Sequence, residues 1–233
     1  MTYLFDTILY RPLFNLLVVI YNLIPGGDFG VAIVVLTILV RIVFIPLSIK
    51  TLRAQRDLAR LQPKIKELQD KHKNDKTALG QATMALYKEQ KVNPLGGCLP
   101  LLIQLPILLA LYKAFSLGLK PESLGALYSF VGDPGVINLT SLGFIGLDQK
   151  SPSLAILAGV LQWVQAKQST HNQKSGGTGQ LDATAKIMSR QMLYFFPILI
   201  IIIAWNLPTG LAIYWIVTTL FSIAEQFYIN RRY

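Results

Sequence analysis

Arg41 is the residue whose chemistry fits its surroundings least well. It lies near the middle of an apolar run, 29–49, in which Thr37 and Ser48 are the other polar side chains. A guanidinium is permanently charged and carries five N–H donors, so it binds carboxylates and holds water. At the centre of a hydrocarbon layer it costs several kcal/mol. The position therefore predicts a site that attracts acidic groups or stays hydrated, with Thr37 adding a hydroxyl one turn earlier.

Glu225 is the one carboxylate within an apolar run, and it lies at the end of the last run. The nine residues from Arg41 to the end of its own run make about 13 Å of helix. A direct ion pair would require both side chains to stretch. We therefore expect a water-filled cavity around Arg41, with a carboxylate partner as the alternative.

Two amides, Gln104 and Gln162, lie in the next two apolar runs. Singly, each would be an interhelical hydrogen-bond donor. Together with an unbalanced arginine, they favour a hydrated groove. Three aromatic residues flank the sequence NLPTG, where they form an interfacial belt or turn towards the groove. They are Trp205, Tyr214 and Trp215.

Evidence for enzymatic chemistry is weak. The sequence has no glycine-rich phosphate loop, and no serine or cysteine has a recognisable base. His72 and His171 lie in polar segments without a cluster of further ligands, and the single Cys98 reads as a small buried residue. We expect no enzyme, no cofactor and no metal.

The composition places these residues in a membrane protein. Hydrophobic residues make up 52% and charged residues 15% of the 233 residues, yet the net charge is +10. Apolar and basic blocks must be segregated along the chain, as in membrane proteins whose loops are sorted by charge. Residues 191–224 carry no charge and, as one helix, would be about 51 Å long, so they are divided at 206–210. The sequence predicts an all-α membrane protein with a core of five transmembrane helices, at about 29–49, 95–118, 153–166, 191–206 and 209–226.

Basic residues predict the orientation. Residues 50–91 carry 11 basic and 5 acidic residues. Placing them in the cytoplasm puts 17 of the 22 Lys and Arg inside. The positive-inside rule then gives an N-out, C-in multi-pass protein of the bacterial plasma (inner) membrane.

The two chain ends lie outside the predicted core, 29–228. Within 1–28, the 13 residues of 12–24, apolar apart from Asn15 and Asn22, are short for a span, so we expect an amphipathic interfacial helix, with a sixth span as the alternative. No basic segment or cleavage site precedes this stretch, so we expect the chain to start at its natural beginning. Residues 229–233 form a short cytoplasmic tail.

Residues 50–92 predict a basic cytoplasmic helical hairpin. Helix-forming segments at 52–72 and 78–91 are separated by a polar turn at 73–76. Pro63 is expected to kink or break the first helix. Apolar residues recur at spacings of three and four on one face: Leu58, Leu61, Ile65 and Leu68.

Four segments, in order, resemble the YidC/Oxa family of membrane insertases. They are VLTILVRIVFIPL (35–47), LQPKIKELQDK (61–71), VNPLGGCLP with LIQLPILLALY (92–112) and NLPTGLAIYW (206–215). The resemblance implies a five-span core around a hydrophilic groove that opens to the cytoplasm and to lipid and is closed outside. The family's groove arginine, threonine and glutamine correspond to Arg41, Thr37 and Gln104, and Gln162 and Trp205 match more loosely. We expect the protein to lack the large extracytoplasmic domain of Gram-negative members, the lipid-carrying cysteine of many Gram-positive ones and a long basic tail.

The expected function is a membrane protein insertase and chaperone that works without ATP. It would move short hydrophilic segments of nascent membrane proteins through the groove and release their spans into lipid. Expected partners are nascent membrane proteins and lipid, with the ribosome, the signal recognition particle pathway and the Sec translocon as candidates and no specific nucleic-acid recognition. A small-solute transporter and a non-catalytic assembly factor are the alternatives, although the halves of the chain show no internal repeat.

Overall fold

The computed structural model describes residues 2–73, 75–93, 99–116, 125–171 and 191–232. Within them the chain is predominantly helical, as the sequence predicts. Two strands of two residues each, β1 (Thr140–Ser141) and β2 (Ile145–Gly146), pair antiparallel. Cys98 lies outside the described residues.

The N-terminal helical segment is longer than the sequence predicts. Helix α1 (Thr2–Phe5), a π-helical turn (Asp6–Tyr10) and α2 (Arg11–Leu23) follow one another without a break. Pro12 lies in the first turn of α2, where its missing N–H costs little. One face of α2 is buried at Phe14, Leu17 and Val18. The helical pattern therefore extends upstream of residue 12.

Helix α3 (Phe29–Lys71) runs for 43 residues, about 64 Å. It continues past the predicted boundary at residue 50 and past Pro63, so Pro63 does not break the helix, and a kink there stays a prediction. The segment after residue 50 is rich in Lys, Arg, Gln and Leu, which favour helix, and a proline removes only one backbone hydrogen bond. Leu61 and Ile65 are buried on either side of Pro63, and this packing stabilises the helix there.

In the region of the predicted hairpin, the end of α3 is followed by a second helix, α4 (Lys76–Glu89). Asp75 caps α4 by accepting hydrogen bonds from the backbone N–H groups of Thr77 and Ala78 at 3.0 and 2.9 Å. The two helices contact each other. Of the predicted apolar stripe, Leu61 and Ile65 are buried, and Leu58 and Leu68 are half-buried.

Four further helices coincide with the remaining predicted spans. They are α5 (Leu99–Ser116), α6 (Pro152–His171), α7 (Phe196–Asn206, preceded by a π-helical turn, Gln191–Phe195) and α8 (Thr209–Arg232). Helix α6 has 20 residues instead of the expected 14, because its polar continuation beyond residue 166 stays helical. Helices α6 and α7 pack closely at Gly159, where an added Cβ would lie 2.2 Å from Ile201 Cγ1.

Residues 125–150 cap the end of the bundle where α3 begins. The backbone of this loop is fixed by hydrogen bonds to three helical elements. Asn15 accepts from Tyr128 N at 2.7 Å, Asp28 accepts from Ser141 Oγ and Leu142 N at 2.7 Å, and Thr209 donates twice to Gln149 O at 2.8 Å. Gly30 allows this approach, because a Cβ there would lie 2.2 Å from Ser141 Oγ. The loop thus ties α2, α3 and α8 together.

The outside of the bundle is apolar, as expected for contact with lipid. By length and composition, three helical segments in the described part of the chain suffice to cross a membrane: Tyr3–Leu23, Phe29–Lys71 and Thr209–Ile229. Leu193–Asn206 is apolar but shorter. Large apolar side chains remain exposed on the flanks of α3, α6 and α7, among them Val43, Val160 and Ile202.

Candidate functional site

Arg41 projects from α3 towards α8. Its Nη2 donates to the carbonyl oxygen of Thr218 at 3.1 Å and to Ser222 Oγ at 2.8 Å. The side chain is only partly buried. Both acceptors are neutral, so the contacts orient the guanidinium without cancelling its charge. The charge remains available to a group that enters from the exposed side.

Helix α8 supplies these acceptors because its polar residues recur every three or four positions. We call Tyr214, Thr218, Ser222 and Glu225 the α8 polar stripe. Ser222 Oγ also donates to Thr218 O at 3.0 Å, and Thr218 Oγ1 is buried without a partner in the described part of the chain. The stripe lies along the contact between α3 and α8.

The stripe continues to α5 and to the second half of the α3 span. Gln104 Nε2 donates to the hydroxyl oxygen of Tyr214, which is 3% exposed. Ser48 Oγ donates to Glu225 Oε2 at 2.9 Å. Polar side chains from α3 and α5 therefore contact the α8 polar stripe at three successive places, with Arg41 at the middle one.

Gln162 and Trp215 form a second polar contact, between α6 and α8. Trp215 Nε1 donates to Gln162 Oε1 at 3.4 Å, and Gln162 Nε2 donates to Gln165 Oε1 at 3.1 Å. Further along the same pair of helices, Gln226 Nε2 donates to Ser169 Oγ at 3.0 Å. This seam fixes α6 against α8 beside the row that contains Arg41.

Two of the predicted groove residues take no part in either set of contacts. Thr37 is 2% exposed, and its hydroxyl donates to the carbonyl of Ile33 in its own helix at 2.7 Å. Trp205 is 44% exposed at the end of α7. Thus Arg41, Gln104 and Tyr214 lie along the α8 polar stripe, and Gln162 and Trp215 form a separate pair. Thr37 and Trp205 belong to neither group.

Sequence reasoning missed Ser48, Thr218 and Ser222 as members of the site. Their signal was present, because polar residues at 214, 218, 222 and 225 share one helix face. Serine and threonine are common inside membrane helices, where their hydroxyls bond to the preceding turn, so they attract little notice. The helix-face pattern becomes informative only when it is paired with Arg41.

The structure also bears on metal binding. In the described ranges, no three His, Cys, Asp or Glu side chains come close enough together to hold a metal ion. His72 ends α3 and His171 ends α6.

Comparison with known proteins gives the family. The family described as 60Kd inner membrane protein matches residues 19–233. The membrane protein insertase YidC of Fusobacterium nucleatum is 34% identical over 206 residues, which are 88% of this chain and 88% of the relative. Those of Syntrophus aciditrophicus and Citrifermentans bemidjiense are 36% and 33% identical over 96% and 95% of this chain, and it covers 36% of each. The chain thus spans most of the first relative and about a third of the other two.

A solved structure agrees with this assignment. The crystal structure of an active YidC insertase with its first transmembrane domain resolved superposes with a TM-score of 0.58 at 28% identity, covering 87% of this chain and 42% of that one. The family is one of insertases and not of enzymes. The row of polar side chains around Arg41 thus lies within a chain that belongs to the YidC family of membrane protein insertases.

Proposed function

We propose that this protein moves short hydrophilic segments of nascent membrane proteins across the bilayer and releases their spans into lipid, without ATP. The segment would enter a hydrophilic groove along the α8 polar stripe, with Arg41 and Gln104 facing it and Gln162 and Trp215 at its side. Thr37 and Trp205 would border this groove. Acidic residues of the client would be drawn to Arg41.

The orientation of Arg41 carries the proposal. Two neutral acceptors orient the guanidinium without forming an ion pair with it. A fixed positive charge at membrane depth lowers the barrier for a carboxylate that must cross hydrocarbon. A membrane potential, negative inside, then favours outward passage of each negative charge by about 2.3 kcal/mol per 100 mV. No nucleotide is required for either effect.

The proposed topology is a five-span core with the N-terminus outside and the C-terminus inside. The charge distribution supports it, since the hairpin formed by α3 and α4 carries most of the net positive charge. The N-terminal helix would lie on the outer surface. Along its length, Asp6 binds Lys113, Asn15 binds Ala126 O and Asn22 binds Gly132 O, all near the end of the bundle that residues 125–150 cap.

The hairpin would serve as a docking arm for the nascent chain, the ribosome, the signal recognition particle pathway or the Sec translocon. Leu61 and Ile65 are buried, whereas basic side chains such as Arg60 remain exposed. Such a charged surface favours association with acidic or nucleic-acid-rich partners without sequence recognition.

The test is insertion into proteoliposomes that contain only this protein, with clients whose outer segments are acidic or neutral. Arg41→Lys should be tolerated, because it keeps the charge. Arg41→Gln should impair acidic clients selectively, and Arg41→Leu should impair all clients, because it removes hydration as well. Lys150→Gln, which removes an exposed charge from the capping loop, is the matched control and should change nothing.

Normal insertion of acidic clients by Arg41→Leu would show that Arg41 is not the working residue. Solute flux without client insertion by the unmodified protein would instead favour a transporter. Empty vesicles measure the spontaneous rate.

A further inference from the structure

Glu225 is the only carboxylate of the α8 polar stripe. Its Oε2 is held by Ser48, at 2.9 Å. Its Oε1 is buried and has no hydrogen-bond partner in the part of the chain that the structure describes. An ionised carboxylate with one unpaired oxygen is only half satisfied, so its negative charge acts on its neighbours.

Arg41 is a cation whose charge interacts with the Glu225 carboxylate. Arg41 binds Ser222, which precedes Glu225 by three residues on the same face of α8. The two charges attract each other, but their hydrogen bonds go to different partners. Only Nη2 of the guanidinium is bonded to the described residues, so its Nε and Nη1 donors stay free for a carboxylate.

We propose that Glu225 is a specificity-determining residue of the groove. Its negative charge offsets part of the positive charge of Arg41, and an acidic client segment must compete with Glu225 for the guanidinium. This inference rests on the proposed insertase function. Its physical basis is the position of Glu225 one turn along the stripe from the Arg41 contact, because an opposite charge at that distance weakens the pull on a third charge. The preference of the groove for acidic segments is therefore weaker, and neutral and weakly acidic segments also use it.

A purely structural role predicts different behaviour. If Glu225 only links α8 to α3 through Ser48, then Ser48→Ala should have the same effect as a change at Glu225. Glu225→Gln keeps an oxygen acceptor for Ser48 and removes the charge. Ser48→Ala removes the hydrogen bond and keeps the charge. The two variants therefore separate charge from linkage.

The experiment measures initial insertion rates in proteoliposomes of the full chain without an ion gradient, so that the membrane potential contributes nothing. Two clients differ only in whether the outer segment carries aspartates or asparagines. Glu225→Gln should raise the acidic-to-neutral rate ratio about three- to tenfold, the range for removing one charge within a turn of helix in a partly hydrated site. Ser48→Ala should leave the ratio near that of the unmodified protein.

Arg41→Gln provides the second measurement. In that variant Glu225 is uncompensated and repels acidic clients, so Arg41→Gln with Glu225→Gln should insert them faster than Arg41→Gln alone. An unchanged ratio in Glu225→Gln, or no gain in the double variant, would overturn the inference. Thermal unfolding of each variant in detergent checks that it folds. Faster insertion by the double variant than by Arg41→Gln alone cannot come from a folding defect, so this comparison stands without the check. Failure of the unmodified protein to insert either client would instead overturn the proposed function.

Discussion

Individual polar residues in this protein depend on partners far away in the sequence. Arg41 is oriented by α8, and Asp28 joins the start of α3 to the capping loop through Ser141 and Leu142. Burial alone would raise the pKa of the Asp28 carboxyl, but the hydrogen bonds from Leu142, Ser141 and Val31 outweigh burial and lower it. Asp28 lies before the first residue of α3, so water reaches it.

The lowered pKa of Asp28 predicts a pH-dependent cap. Because the pKa is lower in the folded protein than in the unfolded chain, the ionised carboxylate stabilises the fold at neutral pH. This contribution falls as the pH drops through the ordinary aspartate range towards the lowered pKa. Asp28→Asn keeps one oxygen for the helix cap but loses the charge and the acceptor of Leu142 N, so it should be less stable at pH 7 by about 1 kcal/mol, with a smaller difference in acid.

Thermal unfolding in detergent across pH 3 to 7, an interval that brackets the usual aspartate pKa of about 3.9, measures this difference. Asp133→Asn is the control, since Asp133 accepts only a local hydrogen bond from Gly135 within the loop. Parallel curves for Asp28→Asn and the unmodified protein over the whole range would contradict the prediction.

At the scale of elements, close contacts between helices decide the packing. Helix α6 contacts both α7 and α8, and Gly159 lets α7 approach it. A Cβ at Gly159 would meet Ile201 Cγ1 at 2.2 Å and the carbonyl oxygen of Pro197 at 3.1 Å. The first neighbour is a branched side chain close to its backbone, so it has little freedom to move away.

Gly159→Ala should therefore destabilise the bundle by about 1–3 kcal/mol, the usual cost of overpacking. In an Ile201→Ala background the same change should cost less, because the clashing atom is gone. Gly80→Ala in α4 is the control, since nothing lies within 4 Å of the added Cβ there and alanine favours helix. Unfolding in detergent measures the unmodified protein and the four variants. Equal costs of Gly159→Ala in both backgrounds would contradict the packing argument.

The sequence predicted the helices well and their ends less well. Apolar runs located α3, α5, α6, α7 and α8, because burial in lipid requires long apolar segments. The apolar runs did not predict that α3 continues past Lys50 and α6 past residue 166, because a helix can become polar in composition without ending. Arg41 and Gln104 were found because polar residues in apolar runs are rare. Glu225 was noticed as the only carboxylate of those runs, but its contact with Ser48 depends on the packing of α3 against α8.

At the scale of the whole molecule, the hairpin and the capping loop lie at opposite ends of α3. Labelling of single cysteines in a Cys98→Ser background tests the proposed orientation. Gly80 in α4 and Gly125 in the capping loop are exposed and have open space around an added Cβ, so neither substitution should disturb the fold. A membrane-impermeant reagent added to intact cells should label Gly125→Cys and leave Gly80→Cys unlabelled until the membrane is opened. The reverse pattern would invert the orientation and place the basic hairpin outside.

The unbroken α3 has a mechanical consequence. One stiff rod contains both Arg41 and the buried hairpin residues Leu61 and Ile65, which follow it by 20 and 24 residues, about 30 and 36 Å. A tilt of this rod by about 10° around a point near Arg41 would move Ile65 by roughly 6 Å and Arg41 itself by far less. Pro46 and Pro63 each lack a backbone N–H donor, so α3 bends most easily at these two positions. A force applied to the hairpin would therefore also rotate the part of α3 that contains Arg41 and its polar neighbours.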